Sequence, residues 1–166
     1  MQIFCGLLII FLDIKLGAVD AILPDPVGYV FVVTALRYLS RIGADFAKAL
    51  PYAVLAGLVS IPLTVSFDPH SVLSLLNAVL EAITVWFICS GIIQLAMERG
   101  NMALVNAAET SRKLYAAAAL AGLTVATLGV VSPPLAVVLL FPAVVIAFAG
   151  GILVLLLLRR AAIEMG

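Results

Sequence analysis

Charge is scarce in this chain: 11% of its 166 residues are Asp, Glu, Lys or Arg, against 65% that are hydrophobic. A soluble domain of this size has too much surface to hide so many apolar side chains. A soluble globular class is therefore excluded, and lipid must cover the remainder. Histidine is scarcer still: His70 stands alone, which rules out a several-histidine metal site or two-histidine haem ligation within one chain. The two cysteines, Cys5 and Cys89, lie inside apolar runs with no C-x-x-C or Cys/His spacing, so they read as small hydrophobes. Hydrolase, zinc-protease and nucleotide-binding motifs (G-x-S-x-G, H-E-x-x-H, G-x-x-x-x-G-K-S/T) are missing, which leaves no enzyme reading with direct support. A formal net charge of zero offers no basic field for nucleic acid. No basic residue precedes the first apolar run, and Asp13 and Lys15 follow it, so a cleavable signal peptide is not expected. No cofactor is expected, and the identity of any metal is left open.

What is abundant is apolar sequence in long runs. Six helices are predicted over residues 2–19, 26–41, 46–66, 69–97, 112–131 and 133–160, forming one integral membrane domain over 1–166. The expected fold is all-α, a polytopic transmembrane bundle. Threading the runs through a bilayer puts Arg37, Arg41, Lys48, Arg99, Arg112, Lys113, Arg159 and Arg160 on one side and only Lys15 on the other. Short loops rich in Lys and Arg stay in the cytoplasm, so both termini are predicted to be cytoplasmic, in a cell inner (plasma) membrane. With the acids included, the inner side carries +4 and the outer side −3, and Glu81 lies between them.

The first two helices are short for a span. The uninterrupted run 3–12 reaches only about 15 Å at the helical rise. Leu23-Pro24-Asp25-Pro26 cannot be helical through its prolines. Either the pair is broken and its connection dips into the outer leaflet, or tilted helices are joined by a shallow external loop. Asp25-Pro26, Asp68-Pro69 and Ser132-Pro133 each read as a cap followed by a first-turn proline. Residues 100–111 read as a short cytoplasmic connector or interfacial helix. Small residues at four-residue spacing (Ala49, Ala53, Gly57; Ala118, Gly122, Ala126; Ala143, Ala147, Gly151) predict intramolecular helix seams. Pro142 predicts a kink. Tyr38, Tyr52 and Tyr115 read as an inner aromatic belt.

Polar residues inside the fourth helix carry the functional expectation. Ser74, Asn77, Glu81 and Thr84 are spaced three, four and three apart, which puts them on one face, with Trp86 opposite. Glu81 falls about 18 Å from Asp68 along the helix, close to mid-bilayer. An acid there must be neutral or paired. Arg37 lies at the same computed depth from Asp25, so an Arg37–Glu81 pair is expected, either as a packing element or as an ion-coupled site, unless Arg37 snorkels to the inner interface. A second candidate is an outer acidic cluster of Asp13, Asp20, Asp25 and Asp68 beside His70, suited to a divalent cation or a cationic solute, although capping already accounts for Asp25 and Asp68.

The stretch Asp20-Ala-Ile-Leu-Pro-Asp-Pro-Val-Gly-Tyr29 resembles a D-I-L-P-D-x-I-G-Y-like signature in a group of small, uncharacterised bacterial multi-pass membrane proteins. Leu23, Pro24, Asp25, Gly28 and Tyr29 match; Ala21 adds a residue before the isoleucine, and Pro26 stands at the variable position. The resemblance covers about the first third of the chain. It implies a bacterial inner-membrane protein and no particular activity. Three functions remain open: transport or sensing of a small solute or ion, a membrane assembly or interaction subunit, and a lipid-modifying enzyme using the outer carboxylates. The expected partners are membrane lipids, with a second copy or another membrane protein as candidates.

Overall fold

A computed structural model describes residues 5–7, 25–65 and 72–165. All regular structure among the described residues is helical: α1 (5–7), α2 (Asp25–Leu39), α3 (Ala44–Val65), α4 (Val72–Glu98), α5 (Met102–Val131) and α6 (Pro133–Met165). α3, α4 and α6 are each long and apolar enough to cross a membrane, and α2 is a shorter apolar helix. Their outward faces carry exposed Leu58, Val137, Phe141 and Phe148, among others. A water-soluble surface does not tolerate apolar area on that scale. The protein is membrane-embedded.

Tight connections set the order of packing. Ser40–Gly43 turns α2 into α3, Arg99–Asn101 turns α4 into α5, and Ser132 alone separates α5 from α6. Sequential helices therefore pack side by side: α2 on α3, α3 on α4, α4 on α5 and α5 on α6. Gly100 ends α4 with a φ of 68°, a left-handed conformation that costs glycine nothing. The Asn101 side chain then caps α5 by accepting from the Leu104 N–H at 3.1 Å. Ser132 works through its backbone. Its N–H donates to the Leu128 carbonyl at 2.7 Å, and its own carbonyl accepts from Leu135 and Ala136. α6 begins at Pro133, as the serine–proline pair predicts, whereas Asp25 is the first described residue of α2 and Asp68-Pro69 lies outside the described residues.

One boundary differs markedly from expectation. Residues 102–111 are neither a connector nor a separate interfacial helix; they are the opening turns of α5. Their polar residues suggested a break, but Ala103, Leu104, Ala107 and Ala108 are strong helix formers, and Lys113 reaches back to Glu109 at 3.2 Å. Leu104, Val105 and Ala108 are buried, so tertiary packing holds these turns as well. Pro142 is accommodated within α6, which runs unbroken through it.

Packing is densest toward the end that carries the basic residues. There Ile88, Cys89, Ile92 and Ala96 of α4 meet Leu104 and Ala108 of α5 and Val154, Leu157 and Ala161 of α6 in one buried cluster. The Asn101 amide and Arg160 both bond Glu164 at 2.6 Å, tying the α4–α5 turn to the end of α6. Glycines admit large neighbours at two helix contacts. A Cβ on Gly91 would lie 2.6–2.8 Å from three ring atoms of Phe46, and one on Gly57 would lie 3.0 Å from the Tyr29 Cβ. The predicted seam on α3 is of this kind, with Ala49 and Ala53 fully buried.

Candidate functional site

The α4 stripe turns toward the other helices. Thr84 is buried, Ser74, Asn77 and Glu81 are half-buried, and Trp86 is exposed. Lipid supplies no hydrogen-bond donors or acceptors, so each polar group must find its partner within the bundle. Thr84 does so locally, donating to the Leu80 carbonyl at 2.8 Å. Its hydroxyl serves the helix rather than the site. Asn77 Oδ1 is buried without a hydrogen-bond partner.

Glu81 is met by a tyrosine. The Tyr115 hydroxyl of α5 donates to Glu81 Oε1 at 2.5 Å. Tyr115 had read as an inner-belt residue. The long α5 instead places it 13 residues beyond Met102, deep in the helix, with its hydroxyl turned inward. Gly150 of α6 lets the two backbones approach at this level, since a Cβ there would sit 3.4 Å from the Tyr115 Cα.

A cavity of about 570 Å³ opens beside this pair, between α4, α5 and α6. Ser74, Glu81 and Tyr115 are its polar lining, and the other walls are apolar or glycine. The small-residue faces predicted as seams contribute Ala118, Gly122 and Ala126 from α5 and Ala147 and Gly151 from α6. Ala118, Ala143 and Gly151 are buried where α5 packs on α6, while Gly122 stands open to the cavity. The space beside Gly122 is left because these side chains are short; a Cβ added there would meet nothing within 4 Å.

The expected Arg37–Glu81 pair does not form. Arg37 is exposed in the last turn of α2, and no ion pair joins it to Glu81. Matching distances along two helices do not make matching positions: α2 packs on α3, and its terminal arginine extends outward. The cation that does enter the bundle is Arg112, which the sequence reading had counted only as an inner-side charge. Its guanidinium stacks over Trp86 at 4.5 Å and donates to Ser90 Oγ at 3.2 Å. Of the outer acidic cluster, Asp13, Asp20, Asp68 and His70 lie outside the described residues, and Asp25 is placed as the first residue of α2. No group of three His, Cys, Asp or Glu among the described residues could hold a metal.

Comparison with known protein families, with curated proteins and with solved structures returns no match for this chain.

Proposed function

We propose that this chain is a six-span membrane protein that takes a small solute or ion into the cavity between α4, α5 and α6 and transports or senses it there, with Glu81 as the charged contact. The observation that carries this reading is a hydrogen-bonded acid–tyrosine pair on the wall of a half-open cavity between three helices of a membrane protein. An ionisable group at such depth is costly and marks solute and proton paths more often than it serves packing alone. A subunit that only assembles with partners would gain by closing this space, since helices in lipid associate through close contact. The volume also falls within the roughly 300–1,000 Å³ of small-molecule sites.

The reading requires the cavity to be reachable from water. In a chain with Cys5 and Cys89 replaced by alanine, Ala147→Cys on the cavity wall should react with a water-soluble methanethiosulfonate. Val145→Cys, exposed on the outer surface of α6, should not. Silence at both positions would overturn the reading.

The basic-residue asymmetry supports an orientation with both termini in the cytoplasm, and the resemblance at 20–29 supports a bacterial inner membrane. The charge-free half of α5, residues 114–131, has the length for a further crossing. Single cysteines at Asn101 and Gly166 should label only from the cytoplasmic side and one at Ser71 only from outside. Labelling of all three from one side would refute the six-span arrangement.

A further inference from the structure

A second groove, of about 540 Å³, runs between α3, α4 and α5. Trp86 lies at one end with Tyr52 and Phe87, whose rings stack at 5.8 Å, and Ala78 and Leu123 lie at the other. Val79, Trp86 and Leu120 along it are exposed, so in a bilayer acyl chains reach it. Arg112 stands one turn before Ala116, at the aromatic end. Its guanidinium lies over the Trp86 ring at 4.5 Å, its Nη1 donates to Ser90 Oγ at 3.2 Å, and its Nε is buried without a hydrogen-bond partner. Lys48, Lys113 and Arg160 each take an acid at 2.6–3.2 Å, but among the described residues no acid pairs with Arg112. The ring attracts the cation without cancelling its charge. Arg112 lies about 20 residues before Ser132, which is about 30 Å of helical rise and the thickness of a bilayer's hydrocarbon core. With residues 114–131 crossing the bilayer, as the six-span reading has it, the guanidinium stands at the level of the phosphates in the leaflet on the basic side. Resting on that crossing, we infer that an anionic phospholipid occupies this place, its phosphate on Arg112 and one acyl chain in the groove. A guanidinium fork matches phosphate oxygens. A zwitterionic lipid brings its own cation and so leaves the arginine's charge unbalanced, whereas an anionic head balances it.

Trp86 is the only tryptophan in the chain, so quenching of its fluorescence reports which lipid lies against this groove. The test places the full chain in nanodiscs of equal parts phosphatidylglycerol and phosphatidylcholine, with the acyl chains of one lipid brominated at a time. Quenching should show phosphatidylglycerol bound about fivefold more strongly, the factor that one basic contact gives at a membrane surface. Arg112→Gln should remove the preference. Arg37→Gln, which deletes an exposed cation at the end of α2, should keep it. Ala116→Leu narrows the groove, leaves the arginine in place and should also weaken the preference, which keeps the test decisive if Arg112→Gln does not fold. Equal quenching by the two lipids would overturn the inference, as would equal losses in Arg112→Gln and Arg37→Gln, which would reduce it to general surface charge. Inorganic phosphate has no chain to seat and should leave the quenching unchanged; displacement of the brominated lipid by it would overturn the choice of a lipid. The crossing of α5 is tested separately by the labels at Asn101 and Ser71, so a lost lipid preference with those labels on opposite sides rejects the lipid site alone.

Discussion

Replacing Gly91 with alanine should destabilise the bundle by about 2 kcal/mol, the scale of overpacking a tight core. Alanine ordinarily favours a helix over glycine by about 1 kcal/mol, so a loss reverses the intrinsic preference. The reason is the Phe46 ring, three atoms of which would lie 2.6–2.8 Å from the new methyl group. The ring cannot easily retreat. Phe46 is only 2% exposed, and Gly43 bounds another part of it, where a Cβ would stand 3.1 Å away. Thermal unfolding in detergent should show the melting temperature drop by several degrees. Phe46→Leu made in the Gly91→Ala background should recover part of that loss, although the same substitution alone destabilises. Such a change of sign between backgrounds identifies a direct contact. Independent, additive effects would show that the two residues do not meet.

The second large effect belongs to Tyr115. Tyr115→Phe removes the hydroxyl that donates to Glu81 and should cost about 1–3 kcal/mol, the range for an acceptor that loses its donor inside a protein. Glu81→Gln should cost less, because an amide oxygen still accepts from the tyrosine and carries no charge to desolvate. Arg37→Ala should change stability by no more than about 0.5 kcal/mol, as for an exposed side chain without special contacts. Melting the three variants side by side distinguishes the two possible partners of Glu81. A silent Tyr115→Phe together with a damaging Arg37→Ala would restore the arginine as the partner that matters.

The helices were legible because few local rules govern them. Apolar length and the proline after Ser132 act within a few residues of themselves. The stripe on α4 was legible for the same reason, since helical periodicity alone places Ser74, Asn77, Glu81 and Thr84 on one face. The partner of Glu81 was not. Finding it from depth arithmetic requires knowing where each helix starts, and α5 starts at Met102 rather than at Arg112. That shift of ten residues, about 15 Å of rise, carries Tyr115 from the mouth of its helix into the bundle. The neighbouring basic residues Arg112 and Lys113 disguised it as an interfacial tyrosine. The cavity was hidden in a different way. Small residues at four-residue spacing permit close approach but do not enforce it at every residue, so the same pattern closed the α3 contact around Ala49 and Ala53 and left open space beside Gly122 on α5.

The single residue between α5 and α6 has a mechanical consequence. Ser132 bonds backward to Leu128 and forward to Leu135 and Ala136, so the junction has no slack with which to lengthen or swivel. At the far end, the Asn101–Glu164–Arg160 network fastens α6 to the start of α5. The two helices are thus pinned at both ends and behave as a rigid frame. Any change in the size of the space beside Glu81 then falls to α4, tilting about its well-packed inner half. Because Glu81 rides on α4 and Tyr115 on the frame, any such tilt would stretch the bond between them.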